Sequence, residues 1–294
     1  MDLRSILVLA GIGSLSIVEA QYGTFSAAAV TAAKTAQLVV VLDDGDSPYN
    51  EHAMRGVKGE WRLNNDIDFI TVSDLGMQPL SADKIYLMKT RRMDPVKFEG
   101  TFMAVVKGWK QKKGEALQQT ANCFTSIPTE QELASILIDH RTIADGKAAI
   151  LVQLYVKHLQ DYLKLVEGGK ITDKATADRL YASRTRLVRD TELILATEHL
   201  DKSLTGAEAI KAQYTAPFML GGIAGITSAV EAQDRSKVVS DVVITVGDHK
   251  NKHCFKRLFS AGTGELMYLR DDAAIFGKKE GFIEEDLKAL ARAR

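Results

Sequence analysis

The sequence predicts an α/β (α+β) protein with two similar small βαβαββ modules joined by a long αα-hairpin. Three observations support this prediction. Aliphatic runs typical of buried strands alternate with capped helical segments. The same order of elements occurs twice, and a helical period fills the middle of the chain. We expect a first module over residues 21–127, the hairpin over 128–190 and the second module over 191–294.

The first module begins with "AQLVVVLDD", whose unbroken aliphatic character predicts a central strand covered on both faces. "SPYNEHAMRGVKGEW" follows, with Ser47 as N-cap and Pro48 at the first helical position. "DIDFITVS" and "KIYLMKT" predict two more strands, separated by a short helix or turn in "DLGMQPLSAD". "GTFMAVVKGWK" and "LQQTANCFTS" predict the last two strands of this module.

A helical period begins at about Thr129 and predicts one long helix that ends at Gly168 and Gly169. A second helix, "TDKATADRLYASRTRLVRD", completes the hairpin. Spacings of three and four residues place one set on a single helix face: Leu133, Leu137, His140, Ala144, Ala148, Leu151, Tyr155, Leu159, Tyr162 and Val166. His140 and His158 are therefore interpreted as structural histidines on or near the apolar face.

The second module repeats the first in outline. "ELILATEHLD", "PFMLGG" and "DVVITVG" predict strands, with helices in "TGAEAIKAQY" and "ITSAVEAQDRSK". "KHCFKRLFSA" and "GELMYLR" predict a β-hairpin, and "FIEEDLKALARAR" an amphipathic closing helix. Leu38 and Ile85 lie 47 residues apart, and Leu193 and Val242 lie 49 apart. Equal element order at nearly equal spacing predicts a duplication.

The N-terminus is typical of a secretory signal peptide over residues 1–20. Arg4 precedes an apolar stretch from Ile6 to Val18, and small residues end at Ala20. The apolar stretch is too short to span a bilayer comfortably, so we expect no transmembrane segment in the mature chain. The alternative is a buried strand or first helix of a cytosolic domain. The signal-peptide interpretation predicts a periplasmic or extracellular protein.

Charge and cysteine content restrict the choice of partners. The 38 basic and 38 acidic residues balance, so the chain has no electrostatic footprint for nucleic acid or an anionic membrane. Cys123 and Cys254 lie far apart in the sequence. They would form a disulfide in an oxidising compartment, or they are two buried small apolar residues.

Two long segments carry a resemblance. The C-terminal segment "DVVITVGDHKNKHCFKRLFSAGTGELMYLRDDAAIFGKKEGFIEEDLKAL" resembles the end of a family of exported, functionally uncharacterised proteins of Bacteroidota. The N-terminal "VVVLDDGDSPYNEHAMRGVKGEWRLNNDIDFITV" is similar to the same family, which also places an acidic stretch before a helix that ends near a tryptophan. The resemblance implies export to the periplasm or beyond. It implies no reaction and supplies no catalytic residues.

One enzyme hypothesis is a magnesium-dependent phosphohydrolase of haloacid-dehalogenase type. This chemistry needs a nucleophilic aspartate at the end of a central strand and a second acid two residues later, and Asp44 and Asp46 have that spacing. Asp248 would be a further magnesium ligand. The remaining candidates are a hydroxyl and two lysines: Ser73, Lys84 and Lys89. The sequence "GDHKNKH" lacks the second acid of the magnesium motif, which counts against this hypothesis.

A second metal hypothesis uses His249, His253 and Cys254. The two histidines would share one face of a helix, but "GDHKNKHCFKRL" is more typical of a turn that enters a strand. Adjacent residues of a strand point to opposite faces, so His253 and Cys254 would not converge on one ion. The glycines of "FMLGGIAGITSA" match neither the dinucleotide nor the P-loop spacing.

The sequence as a whole predicts an exported, non-catalytic protein of the bacterial cell envelope that binds a protein or another envelope component and needs no cofactor. Two alternatives stay open. The first is the secreted phosphohydrolase with Asp44 and Asp46 and a magnesium ion. The second is a protein that binds a small ligand in the crevice between its modules.

Overall fold

The computed structural model describes residues 22–78, 80–93, 99–112, 116–245 and 252–293. They form two mixed β-sheets with helices around and between them, which confirms the α/β class. The predicted signal peptide, residues 1–20, lies outside the described residues. Among the helices of the described part, none is long and apolar enough to cross a membrane.

The first sheet has a five-stranded path with a short hairpin beside it. Its strands are β1 (Gln37–Leu42), β2 (Ile67–Thr71), β3 (Lys84–Met93), β4 (Glu99–Lys107), β5 (Gln118–Thr120), β6 (Cys123–Thr125) and β7 (Glu132–Ile138). The path runs β2-β1-β3-β4-β7, and β5 and β6 form the hairpin, which joins β3 at the pair Thr90 and Phe124. β1 is parallel to β2 and β3, whereas β4 is antiparallel to β3 and β7.

The second sheet has the same path. Its strands are β8 (Glu192–Ala196), β9 (Phe218–Gly221), β10 (Lys237–Ile244), β11 (His253–Ser260) and β12 (Leu266–Ala273). β8 is parallel to β9 and β10, and β11 is antiparallel to β10 and β12. In chain order both paths therefore run 2-1-3-4-5 with the same directions. This is the arrangement that a duplication predicts, and the duplication itself stays a prediction.

Helices connect and cover the strands. They are α1 (Ala27–Lys34), α2 (Pro48–Glu60), α3 (Val72–Gly76), α4 (His140–Ala144), α5 (Leu151–Glu167), α6 (Lys174–Thr185), α7 (Gly206–Lys211), α8 (Ile223–Glu231) and α9 (Glu284–Arg292). The predicted start of α2 is confirmed: Ser47 is its N-cap and accepts a hydrogen bond from the Asn50 amide, and Pro48 follows.

The prediction of one long helix from Thr129 is wrong over its first half, which contains β7, the short helix α4 and a turn. Residues Glu132–Ile138 form β7, in which every residue is buried, and β7 pairs with β4 along its length. Because a strand buried on both faces shows no alternation, Leu133 and Leu137 could be fitted to a helical period. The first sheet thus extends past residue 127, and the helices of the predicted hairpin begin only at Leu151.

Helix α5 lies in the main apolar core and touches both sheets. Thirteen of its 17 residues are buried. The core around it includes Met103 and Val105 of the first sheet and Ile194 and Phe259 of the second. The segment predicted as a connection between modules is therefore the shared core of both halves.

Strand β1 separates two packing layers, as predicted for a central strand. Leu38 and Val40 belong to the core that contains α2 and α5, whereas Val39 and Val41 pack in a second cluster with residues of α3. The helices that follow β1 and β2 thus cover opposite faces of the sheet. In such sheets the carboxyl ends of the strands next to this reversal are the usual place for a ligand.

Candidate ligand-binding cleft

Two adjoining cavities lie where strands of the two sheets end. The polar cavity has a volume of about 530 Å³ and is lined from the ends of β3, β7 and β10 and the start of β4. The apolar cavity has a volume of about 260 Å³ and is lined from the ends of β8 and β10, the start of α8, and α4 and α5. Asp139, Thr142 and Ile244 line both. We call the two together the cleft.

The turn from β7 into α4 forms the junction of the two cavities. Asp139 is the N-cap of α4, and its Oδ1 accepts hydrogen bonds from the amides of Arg141 (3.1 Å) and Thr142 (3.4 Å). The Thr142 hydroxyl donates to the Asp139 carbonyl at 3.2 Å. Among the described residues, Asp139 Oδ2 has no hydrogen-bond partner. It is a carboxylate oxygen available to a ligand.

The polar cavity combines ion pairs with one neutral imidazole. Arg91 pairs with Glu99, and Lys252 pairs with Glu280 at 2.7 Å. His140 Nδ1 lies 3.2 Å from the Thr101 hydroxyl, which fixes the ring. Burial lowers the pKa of His140, so the ring is neutral at pH 7.

The apolar cavity is lined mainly by aliphatic side chains: Ile143, Ala148, Leu151, Ile223, Val242 and Ile244. Its imidazole belongs to His199, which is 8% exposed. His199 Nδ1 lies 2.9 Å from the Ser240 hydroxyl, which also accepts a hydrogen bond from the Ala196 amide at 3.0 Å. Burial lowers the pKa of His199. Its Nε2 has no hydrogen-bond partner among the described residues, so this neutral ring can bind a polar group of a ligand.

A buried ion pair at the wall of the apolar cavity joins the two halves. Arg257 and Asp241 are 0% and 1% exposed, and their side chains approach to 2.6 Å. Tyr155 of α5 donates to Asp241 Oδ1 at 3.1 Å. Arg257 Nη1 donates to the Leu137 carbonyl of β7 at 2.8 Å. This network thus connects β10 and β11 to α5 and to the first sheet.

The predicted catalytic aspartates lie elsewhere. Asp44 accepts hydrogen bonds from the Ser73 amide (3.0 Å) and hydroxyl (2.7 Å), which lower the pKa of its carboxyl group. Asp46 is exposed, and neither aspartate lines the cleft. Asp248 lies outside the described residues. Within the described residues, no group of three or more histidines, cysteines, aspartates or glutamates could hold a metal ion.

Asp43, rather than Asp44, is the buried acid at the end of β1. It pairs with Lys89, and it accepts a hydrogen bond from the Ser47 hydroxyl at 3.1 Å. The Asn50 side chain bonds both the amide and the carbonyl of Asp43, at 2.7 and 3.0 Å. The Lys89 ammonium also lies over the Tyr49 ring. These contacts fix the chain as it leaves β1 and enters α2.

The two cysteines are free and buried in this structure, on β6 and β11, which corresponds to the second of the two sequence interpretations. Burial raises the pKa of both thiols, that of Cys254 to about 12. His253 is half-buried and lies 2.9 Å from Asp271. It sits beside Cys254 in strand β11, where neighbours face opposite sides, and His249 lies outside the described residues.

Sequence reasoning missed the residues of the cleft. His140, interpreted as part of a long helix face, begins α4 and lines the polar cavity. Asp139 and His140 directly follow the strand "ELASILI", and His199 follows "ELILAT". Had residues 132–138 been assigned to a strand, polar groups at two strand ends would have indicated the cleft.

Comparisons of the chain with protein-family models, with curated proteins and with solved structures find no match.

Proposed function

We propose that this protein binds a small organic molecule in the cleft between its two sheets. The proposal keeps the non-catalytic character and the export predicted from the sequence. It replaces a protein or envelope partner by a small ligand. Export would place the cleft in the periplasm or outside the cell.

The observation that carries the proposal is the position of the cleft. The carboxyl ends of β8 and β10, the parallel strands at the reversal of strand order in the second sheet, line it, which is where open α/β sheets bind ligands. Strands β3 and β7 of the first sheet also end at it. The polar cavity, at about 530 Å³, falls in the range of roughly 300–1,000 Å³ typical of small-molecule sites, and the apolar cavity of about 260 Å³ adjoins it. Such sites are typically apolar with a few fixed polar groups. Here the fixed groups are Asp139, His140 and His199. Hydrogen bonds to Thr101 and Ser240 hold the two rings before a ligand arrives.

The test is a binding screen with a variant that fills the cleft. Thr142 lines both cavities, so Thr142→Trp places an indole at their junction. Ala175→Trp is the matched control, because Ala175 is exposed on α6 and lines neither cavity. A panel of amino acids, nucleosides, sugars and short-chain carboxylic acids is screened by thermal shift and isothermal titration calorimetry.

We expect at least one panel compound to bind the wild type and Ala175→Trp and to lose binding to Thr142→Trp. The cleft proposal fails if no compound binds, or if every compound that binds is insensitive to Thr142→Trp. Circular dichroism of both variants confirms that the comparison is made between folded proteins.

A further inference from the structure

We infer that the ligand is a zwitterion with an apolar group, such as an apolar α-amino acid. The inference rests on the proposed function and names the class of molecule that the cleft selects. It follows from the character of the lining residues along the cleft. They are apolar in the apolar cavity, acidic at the junction and mainly basic in the polar cavity. An apolar amino acid carries its side chain, ammonium and carboxylate on one carbon, so with that carbon at the junction the three groups can reach the apolar cavity, the acidic group and the basic group respectively.

The apolar cavity provides the place for the side chain. Its volume of about 260 Å³ exceeds the roughly 150 Å³ of an apolar cavity known to hold benzene, so a phenyl or branched alkyl group fits. The walls from Leu151, Val242 and Ile244 offer no hydrogen bonds to a polar group. Tyr155 and Asp241, which also line it, bind each other.

Acidic groups lie around the apolar cavity and its junction. Asp139 Oδ2 is available at the junction, and Glu198 lines the same cavity. Asp241 is neutralised by Arg257. The basic residue of this cavity, Lys147, is largely exposed and lies 3.8 Å from Asp145. A ligand ammonium at the junction would therefore meet carboxylate oxygens.

Basic groups predominate on the polar cavity. Arg91, Arg141 and Lys252 line it, and Glu99 and Asp139 are its acids. Arg91 and Lys252 have acidic partners, whereas the Arg141 guanidinium has none among the described residues.

Arg141 and Asp139 are two residues apart in the turn that joins the cavities. Within the part of the chain that the structure describes, they offer a cation and a carboxylate oxygen without partners, which is the pair that a zwitterion needs.

Isothermal titration calorimetry with L-phenylalanine and three analogues tests the inference. 3-Phenylpropanoate lacks the ammonium, 2-phenylethylamine lacks the carboxylate, and glycine lacks the apolar group. We expect phenylalanine to bind and each analogue to bind at least about tenfold more weakly, because a hydrogen bond to a charged group is lost or the apolar cavity stays empty. Thr142→Trp should abolish binding of phenylalanine.

Two variants assign the charges to residues. Asp139→Asn keeps a side chain that caps a helix. It should weaken the binding of phenylalanine about tenfold and leave the affinity for 3-phenylpropanoate unchanged. Arg141→Gln should weaken phenylalanine and leave 2-phenylethylamine unchanged. Arg179→Gln is the control, since Arg179 is an exposed arginine on α6 and lines neither cavity.

The outcomes separate this inference from the proposed function. One outcome is that another panel compound binds, that Thr142→Trp abolishes its binding, and that phenylalanine and leucine do not bind. This result refutes the inference of a zwitterionic ligand and supports the proposal that the cleft binds a small molecule. Equal binding of phenylalanine and its analogues also refutes the zwitterion. Phenylalanine that binds equally to wild type and Thr142→Trp binds elsewhere, which refutes the inference.

Discussion

Removal of the Arg257 side chain should destabilise the protein strongly. Arg257→Met keeps a long apolar side chain but leaves Asp241, 1% exposed, without its 2.6 Å partner. The Leu137 carbonyl loses its 2.8 Å donor at the same time. Tyr155 still donates to Asp241, but one neutral hydrogen bond does not replace a buried counter-charge.

We expect a loss of about 3–5 kcal/mol in the free energy of unfolding, the range for a buried charge that loses its partner. Since whole proteins are stable by about 5–15 kcal/mol, this is a large fraction of the total. Asp241→Asn alone should cost a similar amount, because it leaves the Arg257 guanidinium unpaired. The double variant buries no charge and keeps an acceptor for Tyr155. Its expected loss is only about 1–3 kcal/mol, from the Leu137 carbonyl.

The measurement is urea unfolding followed by circular dichroism for the wild type, both single variants and the double variant. A double-mutant cycle isolates the coupling between the two side chains. The slope of the free energy of unfolding against urea concentration should be the same in all four proteins, because unfolding exposes the same surface. If the two single losses add up to the loss of the double variant, the ion pair contributes no coupling and the reasoning is wrong.

Three further predictions concern single groups. Burial lowers the pKa of His158 to about 3, so between about pH 6.5 and 3 the unfolded chain takes up the proton first and the protein loses stability, by on the order of 5 kcal/mol. His158→Met should remove this part of the acid sensitivity, measured by urea titrations at several pH values. Cys123 and Cys254 should react with Ellman's reagent only after unfolding, and rapid reaction in native buffer would contradict their burial. The wild type should hydrolyse a phosphate ester in the presence of magnesium no faster than the Asp44→Asn variant, because the Asp44 carboxylate already accepts hydrogen bonds from Ser73. Hydrolysis by the wild type that is lost in the variant would support the phosphohydrolase hypothesis instead.

Most elements of the fold could be predicted because their signals are local. The aliphatic run of β1 and the Ser47-Pro48 start of α2 need only the neighbouring residues to be interpreted. The same holds for the hairpin of β11 and β12. Strand β7 could not be predicted in this way. Four of its seven residues, Glu132, Leu133, Ala134 and Leu137, are good helix formers. Pairing with β4, about thirty residues earlier in the chain, decides the outcome.

The candidate site depends on still more distant relationships. Asp139 and His199 lie 60 residues apart and line one cavity only because the two sheets direct strand ends to the same place. Neither forms a motif with its neighbours. Asp44 and Asp46 formed a recognisable spacing, but the fold uses Asp44 to hold Ser73 at the start of α3. A short motif therefore indicated chemistry where the structure shows a local anchor.

The burial of α5 on nearly all sides has a consequence for how the chain folds. Neither half can complete its hydrophobic core without this helix, and the helix is covered only when both halves are present. During synthesis, a nascent chain that contains only the first sheet would expose an aliphatic surface prone to aggregation until the second sheet has been made. The molecule should consequently melt as one cooperative unit, and two fragments separated after residue 145 should regain structure only when they are mixed.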